Sequence, residues 1–392
     1  MRSGRRASGA CCARTINPDN QIDFADPIRS APIPILAAAP RLVRHRRGLP
    51  VWLQGWFFLL SLTCAVPYRA AADDFYKGKT ITLVVANAAG GGYDLYARLL
   101  ARHMGRHIPG NPGIVIKYQG GAGGMLMANA LYGSTARDGL TIGLMMRANP
   151  LERVLGNPAA KFENERFTWL GTAASFENDA YCLLVRSDSP IHSIADAQSA
   201  THPLVFGGVA AGGTDTDLLL VARSVLKLNL RLIRGYQGVH DINLAIRRGE
   251  VDGQSVGISA LRNSMADWLN AGKLRFLVQF GHAARWSGLP DVPTAYELAP
   301  TTEDRALIEL AELPLKMARA FVAPPELPAE RAAILEQAFM ATQADPAYLS
   351  DANDLQIDIS PLSGDALHQL LRRLAGAPPA LIQRYKDILE TK

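Results

Sequence analysis

The sequence predicts a two-lobed α/β fold. Strand-length runs of apolar, β-branched residues alternate with stretches of helical spacing on short connections, the pattern of mostly parallel sheets covered by helices on both faces. The alternation stops near Gly171 and then restarts, which marks a second sheet. About 320 residues follow the basic and apolar N-terminus, more than one hydrophobic core comfortably fills. Residues 73–174 with 279–392 are expected to form the first lobe and residues 175–278 the second.

Residues 80–86 (TITLVVA) read as a strand that stops at the bare loop 87–92. Residues 93–107 then take helical spacing, with Leu95, Leu99, Leu100 and Met104 on one side and Arg98 and Arg102 on the other. The prolines and glycines of 109–113 end that helix, 114–118 make a second strand, and the glycine loop 120–124 opens a helix over 125–132. A third strand, 140–146, follows the turn at 137–139. Beyond Gly171 come a strand at 181–186, a short helix capped by Ser193 with Asp196, and a strand at 204–207. A third glycine loop, 207–213, runs into a helix over 215–226. Strands at 230–233, 251–256 and 274–280 then alternate with helices over 241–248 and 259–270. The tail, with Pro324, Pro325 and Pro328 and a last helix near 379–389, reads as mainly helical and is expected to pack back on the first lobe.

The N-terminus has the order of a secretory signal. Arg41, Arg44, Arg46 and Arg47 precede the apolar stretch 51–66, which is short for a membrane span and leads to Ala70, Ala71 and Ala72. Residues 1–72 are therefore expected to be a leader, cleaved after Ala72. Ten of the 41 Lys and Arg residues and three of the 36 Asp and Glu residues lie in that leader, so the formal charge of +5 becomes −2 without it. Nucleic acid and membrane surfaces lose their support as partners. Cysteines 11, 12 and 64 go with the leader too, leaving Cys182 alone in an apolar run, where it reads as buried filler.

Three strand–loop–helix junctions with bare glycine loops have one chemical consequence: a ligand can approach the backbone closely and meet unsatisfied amides at a helix start. Such amides favour anions, and ligands of open α/β sheets sit beyond the carboxyl ends of the strands, where all three loops lie. The candidate contacts are Ala88, Ala89, Gly90, Gly91, Gly92 and Asp94 in the first loop, and Gly121, Ala122, Gly123, Gly124 and Met125 in the second. Gly213, Thr214 and Asp215 in the third, and Tyr236, complete the set on the other lobe. Asp94 also fits the first turn of its helix, Thr214 and Asp217 fit a capping box, and Asp215 fits either helix capping or ligand contact. Arg147 follows the third strand and should emerge at the same edge, either as a solvated charge or as a fork onto a carboxylate.

The phosphate motifs do not fit, because residues 87–94 lack the Gly-Lys-Ser/Thr ending of a triphosphate loop and the glycines miss the dinucleotide spacing. Residues 253–257 do match GxSxG, so a hydrolase with Ser255 as nucleophile is the alternative. That elbow requires an apolar strand before the first glycine, whereas residues 247–252 read as a helix end and a turn. No cofactor or metal is implied.

The sequence resembles the extracytoplasmic receptors of tripartite tricarboxylate transporters, the Bug or TctC-type receptors, over essentially all of residues 73–392. The resemblance rests on residues 75–81 (FYKGKTI), 88–94 (AAGGGYD), 120–124, 137–143 (RDGLTIG), 235–238, 248–253 (RGEVDG), 290–294 (PDVPT) and 321–325 (FVAPP), in this order and spacing. It implies a class II periplasmic binding fold with the ligand between the lobes, its carboxylate on backbone amides of residues 88–94 and 120–125. It also implies a receptor that acts as a monomer without catalysis, captures a small organic carboxylate in the periplasm, and has the large and small membrane subunits of the transporter as partners. A ligand sensor for a signalling partner is the other use such receptors have. Ala86 and Asn87 replace the Pro-Phe that commonly precedes the family's first loop, and Arg147 is not general in it.

Overall fold

The computed structural model describes residues 75–209 and 212–390. The expected leader, its cleavage after Ala72, and cysteines 11, 12 and 64 lie outside the described residues, as do Ala210 and Ala211 in the third loop.

Along the chain, β1 (Thr80–Val85), β2 (Gly113–Tyr118), β3 (Thr141–Met145) and β4 (Thr168–Thr172) belong to one sheet. A second sheet follows, made of β5 (Tyr181–Arg186), β6 (Leu204–Gly208), β7 (Leu230–Arg234), β8 (Gly253–Gly257) and β9 (Leu274–Phe280). The chain then returns to the first sheet with β10 (Ala320–Ala323) and the two-residue β11 (Leu362–Ser363). The orders are 11-4-10-3-1-2 and 7-6-8-5-9, so the fold is two α/β lobes. Both sheets have one arrangement: the strand laid down when the chain enters or re-enters the lobe, β5 or β10, is inserted antiparallel between two others, while β1, β2 and β3, like β6, β7 and β8, run parallel.

The register fixes where the loops emerge. Thr80 pairs with Gly113 and Val85 with Tyr118, and Val85 also pairs with Leu144, so β1, β2 and β3 end level. Their connections leave from one edge.

Several elements differ from the expectation. The first helix covers Gly92–His103 and tightens into a 3-10 turn at Met104–His107, where Gly105 passes so close to the Pro112 carbonyl that a side chain would sit 2.4 Å from its oxygen. β4 and the short helix Asn149–Val154 have no counterpart in the sequence reading, because one carries a glycine and the other a proline in too few residues to show a period. The helix expected over 259–270 breaks at Met265 into Ile258–Ser264 and Ala266–Asn270.

The tail does more than cover the first lobe. It supplies β10 and β11, and its helices Ala329–Gln343 and Gly364–Ala375 pack on β4. Its other helices, Thr302–Lys316 and Pro379–Glu390, pack on Thr214–Val225 of the second lobe. One apolar cluster consequently runs from Met127 and Trp169 through Leu307 and Tyr385 to Leu218 and Phe206. Cys182 lies fully buried in β5, and burial pushes its thiol up, as befits filler.

Candidate functional site

The first two glycine loops lie side by side at the level end of β1 and β2. The Gln119 amide donates to the Val85 carbonyl at 2.9 Å, and a side chain on Gly120 would sit 3.7 Å from the Asn87 backbone. Residues 87–92 are exposed, and nothing lies within 4 Å of a side chain placed on Gly90, Gly91 or Gly123. Gly91 caps the helix Gly92–His103 without any side-chain cap, and while the space beside Gly91 is open, the Arg319 guanidinium lies against Gly92.

The expected contact residues divide on inspection. Asp94 is almost wholly buried, and its carboxylate accepts from the Gly90 amide (2.8 Å), Arg98 (2.9 Å) and the Tyr118 hydroxyl (2.5 Å). Burial opposes its ionisation, but those hydrogen bonds win and hold the carboxyl below its ordinary range. Asp94 thus braces the loop that its neighbours expose. In the second loop the Gly124 amide donates to the Gly121 carbonyl and that of Met125 to Ala122, so these two amides are engaged in shaping the loop. Gly121, Ala122 and Gly123 all take positive φ, and Asn149 donates to the Gly123 carbonyl at 2.8 Å.

Arg147 ties the two lobes together. Its backbone amide donates to the Tyr93 hydroxyl at 3.1 Å, and its Nε donates to Thr214 Oγ1 at 2.9 Å. Its guanidinium lies 5.1 Å from the Tyr181 ring centroid and 5.8 Å from that of Phe176. The capping box expected of Thr214 and Asp217 is not formed: the helix starts at Thr214 itself, Gly213 is the cap residue, and the Thr214 hydroxyl serves Arg147. Asp215 accepts from the Val209 amide at 2.9 Å and so closes the third loop; burial pushes its carboxyl up, against that amide and Arg147. Tyr236 packs by Gly207 at the end of β6.

Two further residues reach this edge from strands whose direction the sequence did not reveal. An antiparallel strand presents its amino end where its parallel neighbours present their carboxyl ends. Tyr181 opens β5 opposite Gly257, and Arg319 precedes β10, whose Ala320 faces Met145. Arg319 Cζ lies 4.2 Å from the Tyr93 ring centroid.

Ser255 is in the middle of β8, 2% exposed, with a buried hydroxyl that has no hydrogen-bond partner among the described residues. A nucleophile elbow needs its serine exposed at a strand-to-helix turn. His282, the histidine that a triad would use, bonds the Asp179 backbone carbonyl.

Two α/β sheets with their glycine loops and an arginine at facing edges define a two-lobed binding protein. The chain belongs to the tripartite tricarboxylate transporter receptor family: the model described as "Tripartite tricarboxylate transporter family receptor" matches residues 96–385. Among curated proteins it is similar to a UPF0065 protein of Bordetella bronchiseptica, 25% identical over 312 residues, 78% of this chain and 86% of that one. Among solved structures it is similar to the periplasmic binding protein BugD, with a TM-score of 0.58 at 20% identity over 80% of this chain and 98% of that one. MatC (Rpa3494) of Rhodopseudomonas palustris with bound malate gives 0.56 at 23% identity, over 80% and 99%. R. palustris Rpa4515 with adipate gives 0.59 at 19%, over 80% and 97%.

Proposed function

We propose that this chain captures a small organic carboxylate between its lobes in the periplasm and delivers it, without chemistry on it, to the large and small membrane subunits of a tripartite transporter. The observation that carries the reading is the open space over the helix start at Gly91, beside a second bare loop and an arginine from β3. A carboxylate seated there takes hydrogen bonds from amides that have no other partner among the described residues, aided by the helix dipole.

The ligand is proposed to contact residues 88–92 and 121–123 and Arg147 of the first lobe, with Thr214 and Tyr236 on the facing side. Arg147 spends Nε on Thr214 and also hydrogen-bonds the Tyr181 side chain, and its remaining N–H groups are proposed to take a second carboxylate. The malate and adipate bound to the two R. palustris proteins are both dicarboxylates, which supports the class without naming the member. The lobe bounds 73–174 with 279–392, and 175–278, are retained as the bodies that close on the ligand, and closure as a monomer is part of the proposal. Export fits the family and the N-terminal order of charge and apolar residues; no helix among the described residues is long and apolar enough to cross a membrane. Against the hydrolase alternative stands the buried position of Ser255.

A thermal-shift screen of residues 73–392 against organic acids tests the reading. A ligand at 100 times its dissociation constant adds about 2.7 kcal/mol, several degrees for a chain of this size. Turnover of a hit, or no stabilisation by any carboxylate, refutes it.

A further inference from the structure

Arg319 combines a left-handed backbone with a buried, unpartnered side-chain nitrogen. It takes the left-handed backbone conformation, with φ of 65°, which side chains other than glycine rarely adopt. Residues kept in such conformations gather at ligand clamps, where the surrounding structure over-determines them. Its guanidinium lies against the first turn of the helix Gly92–His103, with Nη2 3.1 Å from the place of a side chain on Gly92. It stacks over Tyr93 at 4.2 Å and Tyr96 at 5.0 Å. Its Nε is buried without a hydrogen-bond partner, and among the described residues it forms no ion pair. Asp358 feels its charge but lies beyond ion-pair distance.

This placement favours an anion between the guanidinium and the helix start. Helix starts carry positive partial charge, so a cation there is repelled unless an anion lies between the two. The tyrosine faces attract the guanidinium but satisfy none of its N–H groups. Arg147 follows β3, which ends at Met145, and Arg319 precedes Ala320, which pairs with Met145, so the two arginines leave the same edge of the sheet. The two have different neighbours, however: Arg319 belongs to the first glycine loop, and Arg147 to Thr214 on the other lobe.

We propose that Arg319 is a ligand-contacting residue, which shares with the amides of the loop at Gly91 the one carboxylate that every ligand of this receptor carries. Arg147 takes the second carboxylate where there is one. The inference rests on the proposed receptor function and goes beyond it by placing a side-chain cation, in addition to backbone, on the common carboxylate. A guanidinium so placed makes recognition depend on ionic strength, because the anion is held by a full charge as well as by dipoles.

The test is calorimetry on residues 73–392, parent, Arg319→Gln and Arg147→Lys, with malate, adipate and the monoacid butyrate, accompanied by ligand-free melting curves. Arg319→Gln is expected to weaken every acid that the parent binds at least tenfold, mono- and dicarboxylates alike. Arg147→Lys is expected to weaken only the diacids. The ligand-free melting temperature of Arg319→Gln should change little, since Arg319 makes no ion pair or Nε hydrogen bond among the described residues. Affinities within twofold of the parent, or a loss confined to diacids, overturn the assignment and leave the receptor reading intact. A fall of more than about 5 °C in ligand-free melting with unchanged affinity assigns Arg319 to packing. A parent that binds none of these acids overturns both.

Discussion

Gly91→Val separates the ligand site from the stability of the fold. Gly91 has φ of −93° and ψ of 177°, an extended conformation that valine adopts freely, and nothing lies within 4 Å of the added side chain. The fold loses only the preference for glycine over an apolar residue at a helix cap, about 1 kcal/mol, or roughly 2–4 °C of melting temperature for a domain of 150–250 residues. The ligand loses far more. Valine occupies the space over the amides of residues 91–93, and a hydrogen bond from an amide to a charged acceptor contributes about 1.5–3 kcal/mol. Two such bonds lost cost about 3–6 kcal/mol, a roughly hundredfold to ten-thousandfold weaker complex. Calorimetry with the best acid from the screen, beside a melting curve of the free variant, reads both quantities. A variant that keeps its affinity within about threefold of the parent refutes the placement of the carboxylate on this loop. Gly123→Val is the poorer probe, because φ there is +63° and the substitution strains the backbone whatever the ligand does.

Further outcomes follow from side chains already described. Arg147→Lys should weaken a dicarboxylate by about 1.5–3 kcal/mol, roughly tenfold to a hundredfold, because lysine brings charge without the fork; calorimetry within twofold of the parent leaves recognition to the loops. Ser255→Ala should bind as the parent does, and a fluorophosphonate adduct on Ser255 in mass spectrometry would contradict its burial in β8. Asp94→Asn should lower stability at neutral pH by about 1–3 kcal/mol, since the carboxylate accepts from Gly90, Arg98 and Tyr118. The Asp94 carboxyl is held below its ordinary range, so its contribution is present at neutral pH and fades as pH falls through the folded value, and denaturation curves of parent and variant should converge in acid. Burial pushes the Glu312 carboxyl up to about 8, against the Gly281 amide and Lys316. The folded chain holds that proton more tightly than the unfolded one, so stability falls as pH rises toward 8; Glu312→Gln should melt higher than the parent at pH 9, and equal melting there would show the charge to be accommodated.

Much of the strand content was legible because long apolar, β-branched runs leave few options. TITLVVA and YCLLVR emerged as β1 and β5, and the glycine loops stand where those runs stop. The Ser193 cap was legible as well, its hydroxyl accepting from the Asp196 amide. What stayed hidden was direction. Nothing local in AFVA tells a parallel strand from an antiparallel one, since that is settled by which neighbours flank it, so Arg319 gave no signal until β10 was seen between β3 and β4. Thr214 misled for a related reason: capping chemistry was read from spacing alone, while a guanidinium from another lobe claimed the hydroxyl. Asp94 was half legible, as its place in the first turn was evident and its pairing with Tyr118, 24 residues away, was not.

The position of β10 also bears on how the chain is made. β3 and β4 are not neighbours in the sheet; β10 is the strand that joins them, and it is not synthesised until residue 320. A nascent chain that stops short of that point leaves β3 and β4 without the strand that joins them, each with an unpaired edge. Contacts between residues 141–145 and 320–323 span much of the polypeptide, and long-range pairing of this kind slows folding. Under the proposed export this delay is useful, because a fold that waits for its last quarter leaves the chain threadable until that strand has been made.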